Sequence, residues 1–150
     1  MNINKSILLV EDNPQDEKLI LRSLRKVNLA NHVDVVRDGQ QALDYLFGGG
    51  EYKDRDLNDL PALILLDLKL PRISGLDVLR LVRANERTSR VPVVILTTSQ
   101  EQLDIAQSYD LHANSYIRKP VDFAQFVEAI QHMGLYWLVL NEPPPSPKVR

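Results

Sequence analysis

Side chains able to do chemistry stand directly after short apolar runs at four places in the sequence. After the runs ILLV, LILL and VVIL and the segment SYIR come, in chain order, Glu11 with Asp12, Asp67, Thr97 and Lys119. Carboxylates gathered closely repel one another, so one of them takes up a proton or a hard cation occupies the site. Mg²⁺ prefers oxygen ligands, and an Asp carboxylate also acts as a nucleophile toward phosphorus.

These residue types together predict phosphoryl transfer onto a carboxylate. Asp67 is the best nucleophile candidate because it ends the most apolar run of the chain. The transfer needs mainly positioning and neutralisation of the phosphoryl oxygens, which Mg²⁺, Lys119 and Thr97 can supply. Asp12, with Glu11 beside it, would then hold the metal, for which Mn²⁺ or Ca²⁺ could substitute.

The elements that must bring these residues together are parallel strands. Short apolar runs alternate with longer segments of helical periodicity, which favours an α/β fold with a doubly wound parallel sheet covered on both faces. We predict five strands, at 5–10, 32–37, 62–66, 91–96 and 115–118. Ligands of such sheets lie outside the carboxyl ends of the strands, so the polar residues should converge at that edge.

The predicted helices separate these strands. Pro14 suits the first turn of the first helix, Asp38 can cap a helix over 39–47, and the glycines from Gly48 onward end it. Apolar spacing marks three more helices, around residues 76–82, at 101–109 and after Asp122. The charged stretch 51–60 lacks periodicity and is expected to be a surface loop.

Length and composition limit the functional classes. The 150 residues suit one domain, predicted at 1–134, with an apolar and then proline-rich extension at 135–150. With 18 Lys and Arg against 20 Asp and Glu, there is no broad positive field for a nucleic acid partner. The absence of cysteine and of any apolar run long enough for a signal peptide or a membrane span predicts a cytoplasmic protein.

Four segments resemble the response-regulator receiver family: ILLVEDN, LILLDLKLP followed by Gly75, VVILTTS and SYIRKP. The resemblance runs from about Lys5 to about Met133. It implies a flavodoxin-like, CheY-like (βα)5 fold with five strands in the order 2-1-3-4-5. It also implies a single-domain response regulator of a two-component phosphorelay, which catalyses only its own phosphorylation and dephosphorylation.

The resemblance assigns a role to each matching position. Asp67 would accept the phosphoryl group from a histidine kinase, and Thr97 and Lys119 would bind it. Glu11 and Asp12 would be the acidic pair that binds the metal, with Asp67 and the Lys69 main-chain carbonyl as further metal contacts. Tyr116 and Thr97 would form the conformational switch.

The chain resembles, more narrowly, the small receivers paired with cyanobacterial phytochromes. This likeness lies in GGGEYKDRDLNDLP before the third strand, in the doubled Thr97 and Thr98, and in YDLHANSY. It implies a phytochrome-type histidine kinase as partner. Two positions depart from the broad family pattern: Thr98 stands where a small residue is usual, and His112 stands where Gly is usual, which puts the local backbone conformation in question.

Two other functions compete with the signalling switch. A pseudo-receiver that is never phosphorylated would act only as a binding scaffold, and Mg²⁺ binding separates it from the switch. A metabolic phosphatase would need a second Asp two positions after Asp67, where this chain has Lys69. No glycine-rich loop follows the first predicted strand, which argues against a nucleotide-binding domain.

The expected output is contact with proteins. The run from Met133 to Leu140 (MGLYWLVL) is almost without polar residues, and large apolar patches usually mark interfaces. We expect a homodimer through the face of the fourth helix, fifth strand and fifth helix, extended by this run. The alternatives are a kinase-docking surface, or a tail folded back onto the core of the domain.

Overall fold

The protein has one parallel β-sheet of five strands in the order β2-β1-β3-β4-β5. The computed structural model describes residues 6–26, 32–98, 100, 112–113, 115–119, 124, 126 and 128. The strands are β1 (Ile7–Val10), β2 (Val33–Val36), β3 (Leu63–Asp67), β4 (Val93–Thr97) and β5 (Ser115–Arg118). The predicted strand order and doubly wound CheY-like fold are confirmed, and the strands begin and end within two residues of the predicted positions.

The register of the sheet sets the strand ends almost level. Val10 pairs with both Val36 and Leu66, so Glu11 and Asp67 each stand one residue beyond that level. Asp67 pairs with Leu96 on β4, and Thr97 pairs with Arg118 on β5. Parallel strands therefore deliver Glu11, Asp67, Thr97 and Lys119 to one edge of the sheet, as the sequence predicted.

Three helices are described in full, and local capping explains where they begin. They are α1 (Pro14–Lys26), α2 (Gly39–Phe47) and α3 (Gly75–Ala84). The Asp38 side chain accepts a hydrogen bond from the Gln41 amide, and Gly48 ends α2 with a φ of 83°, which glycine adopts without strain. The predicted helix at 101–109 lies outside the described residues, and the last predicted helix is described only at Ala124, Phe126 and Glu128, all helical.

Alternating residues of the strands belong to two hydrophobic clusters, one on each face of the sheet. On one face, Leu8 and Ile64 pack with Leu46 of α2 and Val78 and Leu79 of α3. The other face is covered by α1 and by the helical residue Phe126, whose cluster includes Ile7, Leu9, Ile20, Leu24, Leu63, Leu65 and Phe126. Burial on both faces explains why β1 is apolar throughout, and β3 and β4 are apolar up to their last residue, rather than alternating.

The segment between α2 and β3, expected to be a surface loop, is held by two arginines. It contains a short 3-10 helix, Gly50–Tyr52. The Arg55 guanidinium lies 3.8 Å from the centre of the Tyr45 ring and donates to the Tyr45 carbonyl at 3.0 Å. Arg87 donates to the carbonyls of Leu46 and Leu57. One arginine within the segment and one from a distant part of the chain therefore order a segment that has no periodicity of its own.

His112, which replaces the usual glycine, adopts the left-handed backbone conformation that glycine favours. Its φ is 56°, a region that is costly for most residues. Arg83 donates to the His112 carbonyl at 2.8 Å, and also to the carbonyls of Val91 at 2.8 Å and Ser89 at 2.9 Å. The anchored arginine helps to hold this conformation.

Among the described residues, no helix combines the length and apolar character that a membrane crossing requires.

We predict that Gly75→Ala strongly destabilises the fold. A Cβ at Gly75 would lie 2.2 Å from the Asp67 carbonyl oxygen and 2.5 Å from the Leu68 Cα, and main-chain atoms cannot rotate away. The free energy of unfolding, measured with urea, should fall by about 3 kcal/mol or more. The substitution should also displace the main chain that carries Asp67.

Gly49→Ala is the matched control. Its Cβ would lie 2.6 Å from Asp44 Oδ1, the end of a side chain that can rotate away, and the φ of Gly49 is −95°. It should cost less than about 1 kcal/mol. Equal costs for the two variants would contradict the proposed close packing at Gly75.

Candidate functional site

Three carboxylates meet at the carboxyl edge of the sheet. Glu11 follows β1 and is fully buried, Asp67 ends β3 and is 5% exposed, and Asp12 is exposed. Each offers one oxygen, and the three oxygens lie within 4.8 Å of one another. This donor set is the kind that hard divalent cations such as Mg²⁺ prefer, and the exposed Asp12 leaves the group open to solvent.

The ammonium of Lys119 lies among these carboxylates. Its Nζ donates to Glu11 Oε1 at 2.5 Å, to Asp16 Oδ2 at 2.9 Å and to Asp67 Oδ2 at 3.1 Å. Lys119 is 6% exposed, so little water competes for its three N–H donors. The Lys119 amide also donates to the Thr97 carbonyl at 2.7 Å, which ties the lysine to the end of β4.

The two buried partners have shifted pKa values. Burial, followed by the contact with Asp67, raises the pKa of Glu11 to about 7 against the opposing effect of Lys119. Burial by itself would lower the pKa of Lys119, but its bonds to Glu11 and Asp16 and the charges of Asp67 and Glu11 outweigh that effect and raise it. Lys119 is therefore a cation at neutral pH, and the surrounding carboxylates still carry an excess of negative charge that a divalent cation can neutralise.

The Asp67 carboxylate is fixed at both oxygens. Oδ1 accepts a hydrogen bond from the Lys69 amide at 3.0 Å, and Oδ2 accepts the bond from Lys119 at 3.1 Å. The strand holds the backbone of Asp67, and Gly75 donates from its amide to the Leu68 carbonyl at 2.9 Å. The carboxylate is thus held at the centre of the edge.

The other predicted residues take different places around this group. Thr97 is fully buried at the end of β4, while the side chains of Thr98 and Lys69 are exposed. Tyr116 is half-buried on β5 and packs against the hydrophobic cluster on the α2 and α3 face. The structure therefore brings Glu11, Asp12, Asp67 and Lys119 together and leaves Tyr116 outside the carboxylate group.

Asp16 is a member of the site that the sequence did not predict. It lies in the first turn of α1, where the Asn13 side chain accepts hydrogen bonds from the amides of Gln15 at 2.9 Å and Asp16 at 3.1 Å. From this turn the Asp16 side chain accepts the hydrogen bond from Lys119 at the end of β5. An acidic residue in the first turn of the helix after Glu11 and Asp12 was the available signal.

Comparison with known proteins agrees with this arrangement. The family model described as the response regulator receiver domain matches residues 7–131. A curated relative, the probable methanogenesis regulatory protein FilR2 of Methanothrix harundinacea, is 39% identical over 92% of this chain and 86% of its own length.

Among solved structures, the bacteriophytochrome response regulator RtBRR has 53% identity and a TM-score of 0.80, covering 95% of this chain and 85% of the other. The phosphorylated cyanobacterial phytochrome response regulator RcpA has 40% identity and a TM-score of 0.80, covering 94% and 99%. The Mn²⁺-bound form of response regulator Rcp1 has 36% identity and a TM-score of 0.79, covering 93% and 99%. With a family match over most of its length and the same fold, this chain belongs to the response regulator receiver domain family, close to the phytochrome response regulators.

Proposed function

We propose that the protein is a single-domain response regulator that accepts a phosphoryl group on Asp67 from the phosphohistidine of a histidine kinase. An Asp67 oxygen bonds to phosphorus as the bond from phosphorus to the kinase histidine nitrogen breaks. The observation that carries this proposal is the Asp67 carboxylate, nearly buried and held between the Lys69 amide and the Lys119 ammonium.

The residues around Asp67 have separate tasks in this proposal. Lys119, 3.1 Å from Asp67 Oδ2, and the Thr97 hydroxyl bind the phosphoryl oxygens and offset their charge. Glu11, Asp12, Asp67 and the Lys69 carbonyl would hold Mg²⁺, which when bound neutralises charge that develops on the phosphoryl oxygens. The three carboxylate oxygens within 4.8 Å of one another fit this ion, and a solved structure of Rcp1 contains Mn²⁺.

A phytochrome-type kinase is the proposed phosphoryl donor. Both RtBRR, at 53% identity, and RcpA, at 40%, are described as phytochrome response regulators. The name of FilR2, at 39% identity, points to a different pathway. Phosphotransfer from the kinases of the same organism, measured side by side, distinguishes these sources.

Tyr116 and Thr97 are the proposed switch. They lie on the neighbouring strands β5 and β4, where Tyr116 pairs in register with Ile95, two residues before Thr97. Tyr116 is half-buried, so its ring has both a packed and an exposed side. Movement of Thr97 toward a phosphoryl group would change the space available to the Tyr116 ring, and the edge strand β5 would carry that change to the surface.

The proposed output is contact with proteins, in the first place a homodimer. The strand β5 is an edge of the sheet, and the apolar run from Met133 to Leu140 follows in sequence. That run and the fourth helix lie outside the described residues, so the proposal rests on the composition of the run. An unphosphorylated scaffold is less well supported, because the acidic residues Glu11, Asp12 and Asp67 and the cationic Lys119 are all present. Lys119 also donates hydrogen bonds to Glu11 and Asp67.

We predict that Asp67→Asn abolishes stable phosphorylation. The amide keeps nearly the same shape and can still accept from the Lys69 amide, but it lacks the carboxylate nucleophile. Phosphotransfer from the kinases of the same organism, followed by radiolabelled phosphate, should label the parent and not the variant. The melting temperature shows whether the variant is folded, and labelling of folded Asp67→Asn at the parental level would refute the assignment.

Asp12→Ala should weaken Mg²⁺ binding at least about tenfold, because it removes a charged oxygen from a site with few protein ligands. The control is Glu51→Ala, an exposed acidic residue of the 3-10 helix. Both variants lose one negative charge, so a titration of protein fluorescence or melting temperature with Mg²⁺ separates a ligand from a general field effect. Equal Mg²⁺ affinities for the two variants would count against the metal assignment.

The homodimer should bury on the order of 1,600 Å² in total if it is of standard size. Sedimentation of the full chain at high micromolar concentration should show a dimer, and a chain ending at Gly134 should be shifted toward monomer, because it lacks the apolar run. A full chain that stays monomeric with and without phosphorylation would exclude the homodimer.

A further inference from the structure

Asp16 contacts the Lys119 ammonium from outside the group of predicted metal ligands. Its Oδ2 lies 2.9 Å from Lys119 Nζ, and its side chain is 33% exposed while that of Lys119 is 5% exposed. The bond joins the first turn of α1 to the end of β5. Asp16 is not one of the three carboxylates whose oxygens lie within 4.8 Å of one another, which are Glu11, Asp12 and Asp67.

The three N–H donors of Lys119 would not all keep their hydrogen-bond partners during phosphorylation. An ammonium has three N–H donors, and here they meet Asp67, Glu11 and Asp16. Once Asp67 carries a phosphoryl group, its bonded oxygen loses its charge and the N–H that it accepted becomes available to a phosphoryl oxygen. Glu11 has a second task as a metal ligand. Asp16 is the one of these three carboxylate partners that is neither the proposed nucleophile nor a proposed metal ligand.

We propose that Asp16 is a positioning residue that anchors Lys119 while the lysine exchanges its Asp67 partner for a phosphoryl oxygen. The proposal rests on the function assigned above to Asp67. An ammonium on a four-carbon stem has many rotamers, and a fixed partner in α1 restricts them. The Asn13 cap, which bonds the Asp16 amide at 3.1 Å, keeps that partner in place.

The neighbouring acidic residue shows what an ordinary surface pair looks like on the same helix. Glu17 forms an ion pair with Arg37 at 3.0 Å, and the Arg37 side chain is 60% exposed while that of Glu17 is 18% exposed. Pairs with a largely exposed cation contribute little. Asp16 differs because its partner is buried among two further carboxylates, so its contact acts on the group that must meet the phosphoryl oxygens. Glu17→Gln is therefore a matched control for Asp16→Asn.

The test measures the rate of phosphorylation by acetyl phosphate at saturating Mg²⁺. In this reaction the bond from phosphorus to the acetate oxygen breaks, acetate leaves and Asp67 gains the phosphoryl group. Asp16→Asn should be phosphorylated about threefold to tenfold more slowly than the parent, the range expected for loss of a partly exposed charged hydrogen bond. Glu17→Gln should stay within about twofold of the parent, as for a surface pair. Asp16→Glu, which keeps the charge, should recover most of the rate.

The Mg²⁺ affinity and the melting temperature of each variant are measured alongside the rate. A positioning role predicts that Asp16→Asn binds Mg²⁺ nearly as the parent does and remains folded while its phosphorylation is slowed. A parental rate in Asp16→Asn, or equal slowing in Glu17→Gln, would overturn the inference and leave the assigned function intact. A parent chain that no phosphoryl donor labels would overturn both.

Discussion

The buried ammonium of Lys119 is the interaction on which the site depends. A charged group removed from water is costly unless it is paired and hydrogen-bonded, and Lys119 is 6% exposed. Its three carboxylate partners are 108, 103 and 52 residues away in sequence. One cation thus fixes the end of β5 to the end of β1, the first turn of α1 and the end of β3. Without it, Glu11 and Asp67 would face each other as buried like charges.

The excess of negative charge that makes the site costly also provides the oxygen ligands that a divalent cation prefers. Glu11, Asp16 and Asp67 contact the Lys119 ammonium, Asp12 lies beside Glu11 and Asp67, and burial raises the pKa of Glu11 to about 7. A divalent cation bound by Glu11, Asp12 and Asp67 would relieve this repulsion and would lie beside the proposed phosphoacceptor. The sheet supplies the rigidity, since β1 and β3 are buried on both faces. Functional sites often keep arrangements that stability alone would disfavour.

The sequence predicted the features that depend on local pattern. Asp67 and Glu11 were placed correctly because parallel strands end at one edge, and α2 was bounded correctly because Asp38 and Gly48 are strong capping signals. The contact of Asp16 with Lys119 was missed because it depends on the rotation of a helix about its axis. The order of the segment after α2 was missed because it comes from long-range contacts: Arg55 within the segment donates back to α2, and Arg87 reaches it from beyond α3.

The most direct measurement of the central claim locates the phosphoryl group in the chain. Borohydride reduction of the protein after Mg²⁺-dependent phosphorylation converts an aspartyl phosphate to homoserine, which peptide mass spectrometry assigns to a position. We expect homoserine at position 67, with Asp12 and Asp16 unmodified in the same digest. Homoserine at another aspartate, or a phosphoryl group that resists reduction because it is carried by a hydroxyl or a histidine, would contradict it.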